Sequence, residues 1–375
     1  MGKLIRFEIK KFLSKKKNAA FMILFAVFLI IYIAMCMSLE KNYQSGELES
    51  AEFNLQSATE CYYQTININD PTMPQYLKDD ALRKMELLGT ITGAIEQNDW
   101  RQRLSATIEL DQIDLTEMKN GNLVGPDIDT LQAEIAVDQI LLDQDIEPIY
   151  TQFSVTAYNF IRIVFTDIMP IFMIFLIIVF SADSISGEAD AGTCKLLLIQ
   201  PIGRNRIVLS KILAYSIICL GFFAIILSVL FFGLGFLFGF GSADYPTLFY
   251  TGTYIGVRQF LLMMIPFVVL TITETVAYSV MMSSIFNKGA SSISVSIIAA
   301  AVLYVMTYQL GVFNGFPQFN PLSYINIPNF LSGAVSAQFS ASSVNMANGM
   351  ITSVAATLIF AFAAVRIFHK KDIIC

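Results

Sequence analysis

Six long apolar runs constrain this chain more than any other feature of its sequence. They occupy approximately residues 19–38, 158–182, 208–240, 258–286, 290–310 and 347–368. A helix needs about 20 residues to cross the hydrocarbon core of a bilayer, and each run is long enough to do so. Because only 14% of the residues are charged, the chain has too little charge to cover a soluble protein of this length. The sequence therefore predicts an all-α polytopic membrane protein with six transmembrane helices.

The charges are divided unevenly along the chain. Residues 40–157 carry 22 acidic and 7 basic side chains, whereas the remainder is basic overall. The acidic segment contains four helix-like runs, at about 47–66, 76–97, 100–119 and 128–147, which are separated by Asn, Gly and Pro residues. These patterns predict a hydrophilic helical domain at 40–157, after a first span at 18–39, with a membrane domain at 158–375.

The basic residues near the spans predict how the chain is oriented. They lie before the first span, in the 183–211 segment, at Lys288 and after the last span, which six crossings place on one face. By the positive-inside rule that face is cytoplasmic. We therefore expect both termini inside the cell and the acidic domain outside it. The absence of any N-x-Ser/Thr sequon favours a bacterial source, so the expected location is the bacterial plasma membrane.

Residues 1–17 have the pattern of a basic amphipathic helix at the membrane interface. At helical spacing one side collects Leu4, Ile5, Ile9, Phe12 and Leu13, and the opposite side collects Lys3, Arg6 and Lys10. The alternative is a solvated positive flank of the first span.

Residues 311–335 are apolar, but Pro317, Pro321 and Pro328 interrupt them. Three prolines exclude one continuous helix. We predict short re-entrant helices before the sixth span, and the alternative is an ordinary extracellular loop.

Asp167 and Glu274 are carboxylates inside predicted spans, and we predict that they belong to an intramembrane polar relay. Asp167 alternatively lies near enough to the outer interface to be hydrated. Catalytic and metal centres are not expected, because His369 is the sole histidine. Gly187 and Gly192 have the spacing of a phosphate-binding loop, but no Lys follows directly, so the chain itself is expected to bind no ATP and no cofactor.

Residues 183–211, called the connector below, lie between the second and third spans. Ser184 or Ser186 is predicted to cap a helix that holds Glu188 in its first turn. The segment resembles the cytoplasmic loop between the same two spans of ABC-type-2 exporter permeases. An acidic residue, Gly-Thr, a Leu-rich step, Pro, Arg and Lys follow one another in both. Here those positions are Glu188, Gly192, Thr193, Leu196, Leu197, Leu198, Pro201, Arg204 and Lys211.

The resemblance implies that the connector is a coupling helix that docks on a separate ABC ATPase, which binds ATP and Mg. Lys288 would form a second, smaller contact, with Glu188 and Arg204 supplying polar contacts and Leu196 to Leu198 apolar ones. It further implies a homo- or heterodimer of permease subunits in contact with membrane lipid, and no nucleic-acid partner. The compound exported by such a permease would be amphipathic, a peptide or lipid-like. Alternatives are sodium extrusion, transmission of force or signal to an extracellular partner, and a polar loop that contacts nothing.

Overall fold

The computed structural model describes residues 2–67, 75–123, 127–193, 203–250 and 252–371. Within these ranges, six helices are long and apolar enough to cross a membrane: Lys16–Asn67, Ala157–Asp190, Arg204–Phe238, Val257–Ile285, Gly289–Tyr308 and Met346–Lys370. They coincide with the six runs read from the sequence, and the prediction of an all-α polytopic membrane protein is confirmed.

The chain forms two compact units. Unit 1 comprises Met1–Tyr32, Thr156–Gly241 and Thr247–Cys375, and unit 2 comprises Ile33–Val155 and Ser242–Pro246. The helices, in chain order, are α1 Gly2–Ser14, α2 Lys16–Asn67, α3 Gln75–Gln97, α4 Trp100–Lys119, α5 Ile128–Asp143, α6 Ala157–Ile163, a π-helix Val164–Ile168, α7 Met169–Ser181, α8 Ser186–Asp190, α9 Arg204–Phe238, α10 Val257–Ile285, α11 Gly289–Tyr308, α12 Ile327–Leu331, α13 Ala334–Gln338 and α14 Met346–Lys370. A two-stranded sheet of β1 Pro246–Phe249 and β2 Thr253–Gly256 precedes α10.

Helix α2 is longer than the sequence suggested. The helix expected at about 47–66 is not separate, because it continues the first span without a break and gives one helix of 52 residues. The polar part contains no proline before the helix ends, and its single glycine, Gly46, is tolerated in a helix interior at a cost of about 1 kcal/mol.

In unit 2, helices α4 and α5 enclose a small apolar core. Its buried members are Leu104, Ile108, Leu131, Ile135, Leu141 and Ile146, with Trp100 packed against them. The side chain of Asp99 caps α4 by accepting from the backbone N–H groups of Arg101 and Gln102. Helix α5 ends at Asp143, earlier than the expected 147.

The second span contains a π-helix between α6 and α7. Pro170 opens α7 and has no N–H to donate to the carbonyl of Thr166 four residues earlier. The side-chain amide of Asn326 donates to that carbonyl instead, at 3.3 Å. The carbonyl that proline leaves without its helical partner therefore accepts a hydrogen bond from another part of unit 1.

The third span ends at Phe238, in a segment rich in glycine. Gly239 follows α9 with φ 91°, and a Cβ added at Gly235 would lie 2.3 Å from the ring of Phe240. Gly235 and Gly239 therefore terminate the helix and accommodate a ring.

The proline-rich segment forms short helices, as predicted. Pro317–Phe319 and Pro321–Tyr324 are 3₁₀ turns, and α12 carries Pro328 in its first turn. Each proline thus stands where a missing N–H costs little. That these helices re-enter the membrane stays a prediction.

Candidate functional site

Within unit 1, helix α1 packs the ring of Phe12 against α7 and α9. Phe12 is fully buried, and its ring meets Phe180 of α7 edge-on at 5.3 Å and Tyr215 of α9 at 6.0 Å. The backbone carbonyl of Phe12 accepts from the side-chain amide of Asn18 at 3.0 Å. This contact holds the break between α1 and α2.

A buried ion network joins α1, α8 and α9. The ammonium of Lys211 donates to Glu8 Oε1 at 2.8 Å and to Glu188 Oε1 at 2.7 Å. Lys11 of α1 pairs with the same oxygen of Glu188. Lys211, Glu8 and Glu188 are only 1%, 3% and 4% exposed. An unpaired charge at such a site would cost several kcal/mol, so each member requires the others.

A second group of charges lies where α7 ends. Asp183 Oδ2 accepts from Lys15 at 3.0 Å and from Lys17 at 2.9 Å. Lys17 also donates to the carbonyl of Val179 at 2.9 Å, near the C-terminus of α7 where a cation is favoured. With the Lys211 network, four lysines and three carboxylates stand at this site, so the charges nearly balance.

The start of α8 is capped from outside its own sequence. The hydroxyl of Ser283 in α10 accepts from the backbone N–H groups of Ile185 and Ser186, both at 2.9 Å. The sequence predicted a cap from Ser184 or Ser186, but neither side chain caps the helix. The hydroxyl of Ser186 instead lies 3.2 Å from the carbonyl of Ala182. That prediction is wrong because a hydroxyl on another span occupies the capping position.

The end of α8 explains the Gly-Thr pair. The N–H of Thr193 donates to the carbonyl of Glu188 at 3.0 Å, and that of Gly192 donates to Ala189 at 3.1 Å. Gly192 has φ 67°. These bonds form a Schellman motif, in which glycine supplies the left-handed residue. Gly192 and Thr193 are exposed at the end of the helix.

The turn before α11 lies directly against the connector. A Cβ added at Gly289 would sit 3.4 Å from Asp183 Cβ and 3.5 Å from Gly187 Cα. The neighbouring Lys288 is exposed and occupies the N-cap position of α11. The structure thus brings the two segments predicted to contact an ATPase into contact with each other.

Arg204 and Lys371 tie helix ends together. Arg204 donates to the carbonyl of His369 in the last turn of α14, at 2.9 Å. Lys371 donates to the carbonyls of Ser284 and Phe286 at the end of α10, at 3.0 and 2.6 Å. Cationic side chains at helix C-termini are favourable, so the start of α9 and the chain end brace the same region.

The residues predicted to couple to an ATPase therefore fall into four groups. Glu188 and Lys211 are buried partners, Arg204 is half-buried, and Gly192, Thr193 and Lys288 are exposed. Leu196, Leu197, Leu198 and Pro201 lie outside the described residues. Since Glu188 is already paired inside the protein, any part that it takes in coupling would be that of an internal brace.

The two span carboxylates have different partners. Asp167 lies in the π-helix, is exposed, and accepts from the hydroxyl of Tyr32 at 3.3 Å. Glu274 of α10 interacts with the hydroxyl of Ser353 in α14. A relay that includes both stays a prediction. Within the described ranges, no group of three or more His, Cys, Asp or Glu side chains is arranged to hold a metal ion.

Sequence reasoning missed Glu8 and Ser283. Glu8 lies four residues after Leu4 and four before Phe12, on the apolar face of α1. A carboxylate there signals a buried counter-charge, so Glu8 could have been found. Ser283 lies in a run of small residues at the end of a span and carries no comparable signal.

A row of aromatic rings follows α2 from this site. Successive ring centroids lie 5.3 to 6.4 Å apart for the pairs Phe12–Phe180, Phe180–Phe222, Phe222–Phe25 and Phe25–Phe28. The row thereby links the Lys211 network to the rings beside Asp167.

A family model described as "ABC-2 family transporter protein" matches residues 3–373. No curated protein matches the chain significantly.

Proposed function

The chain belongs to the ABC-2 family of transporter proteins, and from this premise we propose that it is the permease subunit of an ATP-driven bacterial exporter. Members of this family are membrane subunits of ABC transporters and are not themselves the ATPase. A separate ABC ATPase, which binds ATP and Mg, would therefore supply the energy. Two permease subunits, identical or different, would pair in the plasma membrane with their termini in the cytoplasm.

The attachment of α8 to three other helices is the observation that carries this proposal. Glu188 ties α8 to α9 through Lys211 and to α1 through Lys11, and Ser283 ties its first residues to α10. A displacement of α8 would therefore move α1 and two spans with it. A coupling element needs this property, because ATP-driven motion must reach the spans.

The exposed end of α8 is the proposed ATPase contact. Asp190 to Thr193 are exposed beyond the buried Glu188, and Lys288 is exposed in the adjoining turn. Leu196 to Leu198 follow directly in the sequence and would supply apolar seating. Glu188 would position this surface without touching the ATPase.

Charge reversal at Asp190 tests the contact. Asp190→Arg should bind the partner ABC ATPase about tenfold more weakly, the factor that roughly 1.4 kcal/mol represents. Asp129→Arg is the matched control, because Asp129 is equally exposed but lies in unit 2. Co-purification and stimulation of ATP hydrolysis in proteoliposomes are the measurements. Equal ATPase binding by the two variants would overturn the assignment.

The proposed cargo is an amphipathic, peptide or lipid-like compound. The phenylalanine-rich spans suit such molecules, whereas sodium extrusion would need a hydrated polar path. Purification of the complex and mass identification of any bound compound address this directly.

A second candidate is transmission of force to an extracellular partner, and the continuity of α2 favours it. A single helix of 52 residues contributes to both compact units, so its rotation or tilt would act beyond the membrane domain. Proteoliposomes that hydrolyse ATP but move no candidate compound would favour this function over transport.

A further inference from the structure

Asp167 is a carboxylate on an apolar, exposed part of a membrane span. It lies ten residues after Ala157, about 15 Å along the helix. The span from 157 to 181 is longer than the hydrocarbon core requires, so this depth falls inside the bilayer. Its exposed neighbours are Ile171 and Phe172, at 54% and 36% exposure. A carboxylate that faces lipid is costly, so lipid alone is a poor occupant of this surface.

The protein holds Asp167 in place. Tyr32 of α2 donates its hydroxyl to Asp167 Oδ2 at 3.3 Å. The irregular turn is fixed by the bond from Asn326 to the carbonyl of Thr166. Such π-turns occur frequently at functional sites, because they redirect one side chain out of the regular helix.

Tyr32, which bonds this carboxylate, belongs to a cluster of aromatic rings. Phe28 stacks on Phe172 with centroids 4.5 Å apart, and Tyr32 lies 6.0 Å from Phe160. Ring faces attract cations, and the attraction grows when water is excluded. A carboxylate together with several rings at membrane depth has the chemistry that binds an organic cation with an apolar body.

From this geometry we infer that Asp167, with the rings of Phe28, Tyr32 and Phe172, forms a binding site for a hydrophobic cation. The ligand would carry an ammonium, guanidinium or similar group on an apolar body. This inference rests on the proposed transport function and names the substrate class that the spans recognise.

A second copy of the chain is the competing occupant. It would have to bring a basic side chain to this depth. Arg162 is the nearest one in the sequence, but its guanidinium already donates to Asn159 Oδ1 at 2.8 Å. The local charge pattern therefore favours a cationic ligand over a symmetric ion pair.

The test uses two probes that have nearly the same shape and opposite charge. The full-length chain in lipid nanodiscs, without ATPase, is titrated with radiolabelled tetraphenylphosphonium and tetraphenylborate. The wild type should bind the phosphonium saturably. It should bind the borate at least about tenfold more weakly, the factor that 1.4 kcal/mol represents. Asp167→Asn should lose this preference, and Asp167→Glu should retain most of it.

Asp244→Asn is the matched control, because it removes an exposed acid from the connection before α10 and should leave binding unchanged. Equal binding of both probes to the wild type overturns the inference, whether or not the variants fold. A change of oligomeric state in Asp167→Asn, without altered probe binding, shows that a second copy is the occupant. The binding measurement contains no ATPase. Its failure would therefore count against this site alone, whereas failure of the ATPase-binding test would count against the proposed function.

Discussion

Unit 1 and unit 2 both contain short ion pairs, but the pairs have different surroundings. Lys211 and Glu188 are 2.7 Å apart and almost fully buried. Arg83 and Glu109 in unit 2 are 2.6 Å apart, yet their side chains are 47% and 45% exposed. Distance alone therefore does not tell which pair matters. Water screens the exposed pair, which therefore contributes little to stability, whereas the buried pair has lost its hydration and depends on its partners.

This difference indicates what each set of charges does. The exposed Arg83–Glu109 pair of unit 2 connects α3 and α4, which follow one another along the chain. The buried network of unit 1 joins elements far apart in the sequence, and it fixes where α8 lies relative to α1 and α9. The following substitutions test that distinction, beginning with the largest expected effect.

Lys211→Met should be the most damaging change. It leaves Glu8 and Glu188 buried with only Lys11 to balance them, and it should destabilise the protein by about 3–5 kcal/mol. The purified protein is heated and then analysed by size-exclusion chromatography. The measurement is the temperature at which half of the monodisperse peak is lost. Arg83→Met is the matched control and should lower this temperature far less, because water screens its ion pair.

A double variant sharpens the Lys211 test. Adding Glu8→Gln to Lys211→Met removes one stranded carboxylate and should restore part of the lost stability. If Lys211→Met and Arg83→Met lower the midpoint equally, the buried network does not hold α8.

Ser283→Ala should have an intermediate effect. It removes the acceptor for two backbone N–H groups at the start of α8, which should cost about 1–3 kcal/mol. Ser279→Ala is the control, because Ser279 is also fully buried but its hydroxyl donates to Thr275 of its own helix. Thermal stability and ATPase stimulation are measured for both. Indistinguishable results would show that Ser283 does not position α8.

The smallest expected effect is a pH dependence in unit 2. Burial, and the neighbouring Asp114, Glu134 and Asp138, raise the pKa of Asp111 to about 6; burial, with Glu134, raises the pKa of Asp138 to about 6 as well. A carboxyl whose folded pKa is raised holds its proton more tightly in the folded state. Its contribution to stability is therefore complete below about pH 4 and is lost as the pH rises through about 6.

Asp111→Asn should accordingly stabilise unit 2 above pH 6, by about 1 kcal/mol after allowance for solvent screening. Unfolding can be followed by the fluorescence of Trp100, which is the single tryptophan of the chain and packs against the unit 2 core. Unchanged stability of the variant at pH 7.5 would contradict the expected burial of this carboxyl.

The sequence predicted the spans well because hydropathy reports burial in lipid directly. It also located the end of α8, because Gly192 favours the left-handed backbone that terminates a helix. The connection between the first span and the acidic domain was harder. No local signal distinguishes one helix of 52 residues from two helices in line.

The partners inside the site were the least predictable part. Glu188 was selected for its position in a motif, but the sequence did not reveal that Lys211 and Lys11 neutralise it. The cap supplied by Ser283 and the bond from Asn326 to Thr166 join residues 98 and 160 positions apart. Contacts of this kind depend on how spans pack, and no local pattern encodes them.

Over evolutionary time, position 192 can accept few residues. Its left-handed backbone would cost an ordinary L-residue about 1–2 kcal/mol, whereas asparagine tolerates it better than most. Among homologous chains that keep the turn after α8, we expect glycine at this position, with asparagine as the main replacement. A bulky or branched side chain at this position in a homologue would indicate that the backbone of its connector follows a different path after α8.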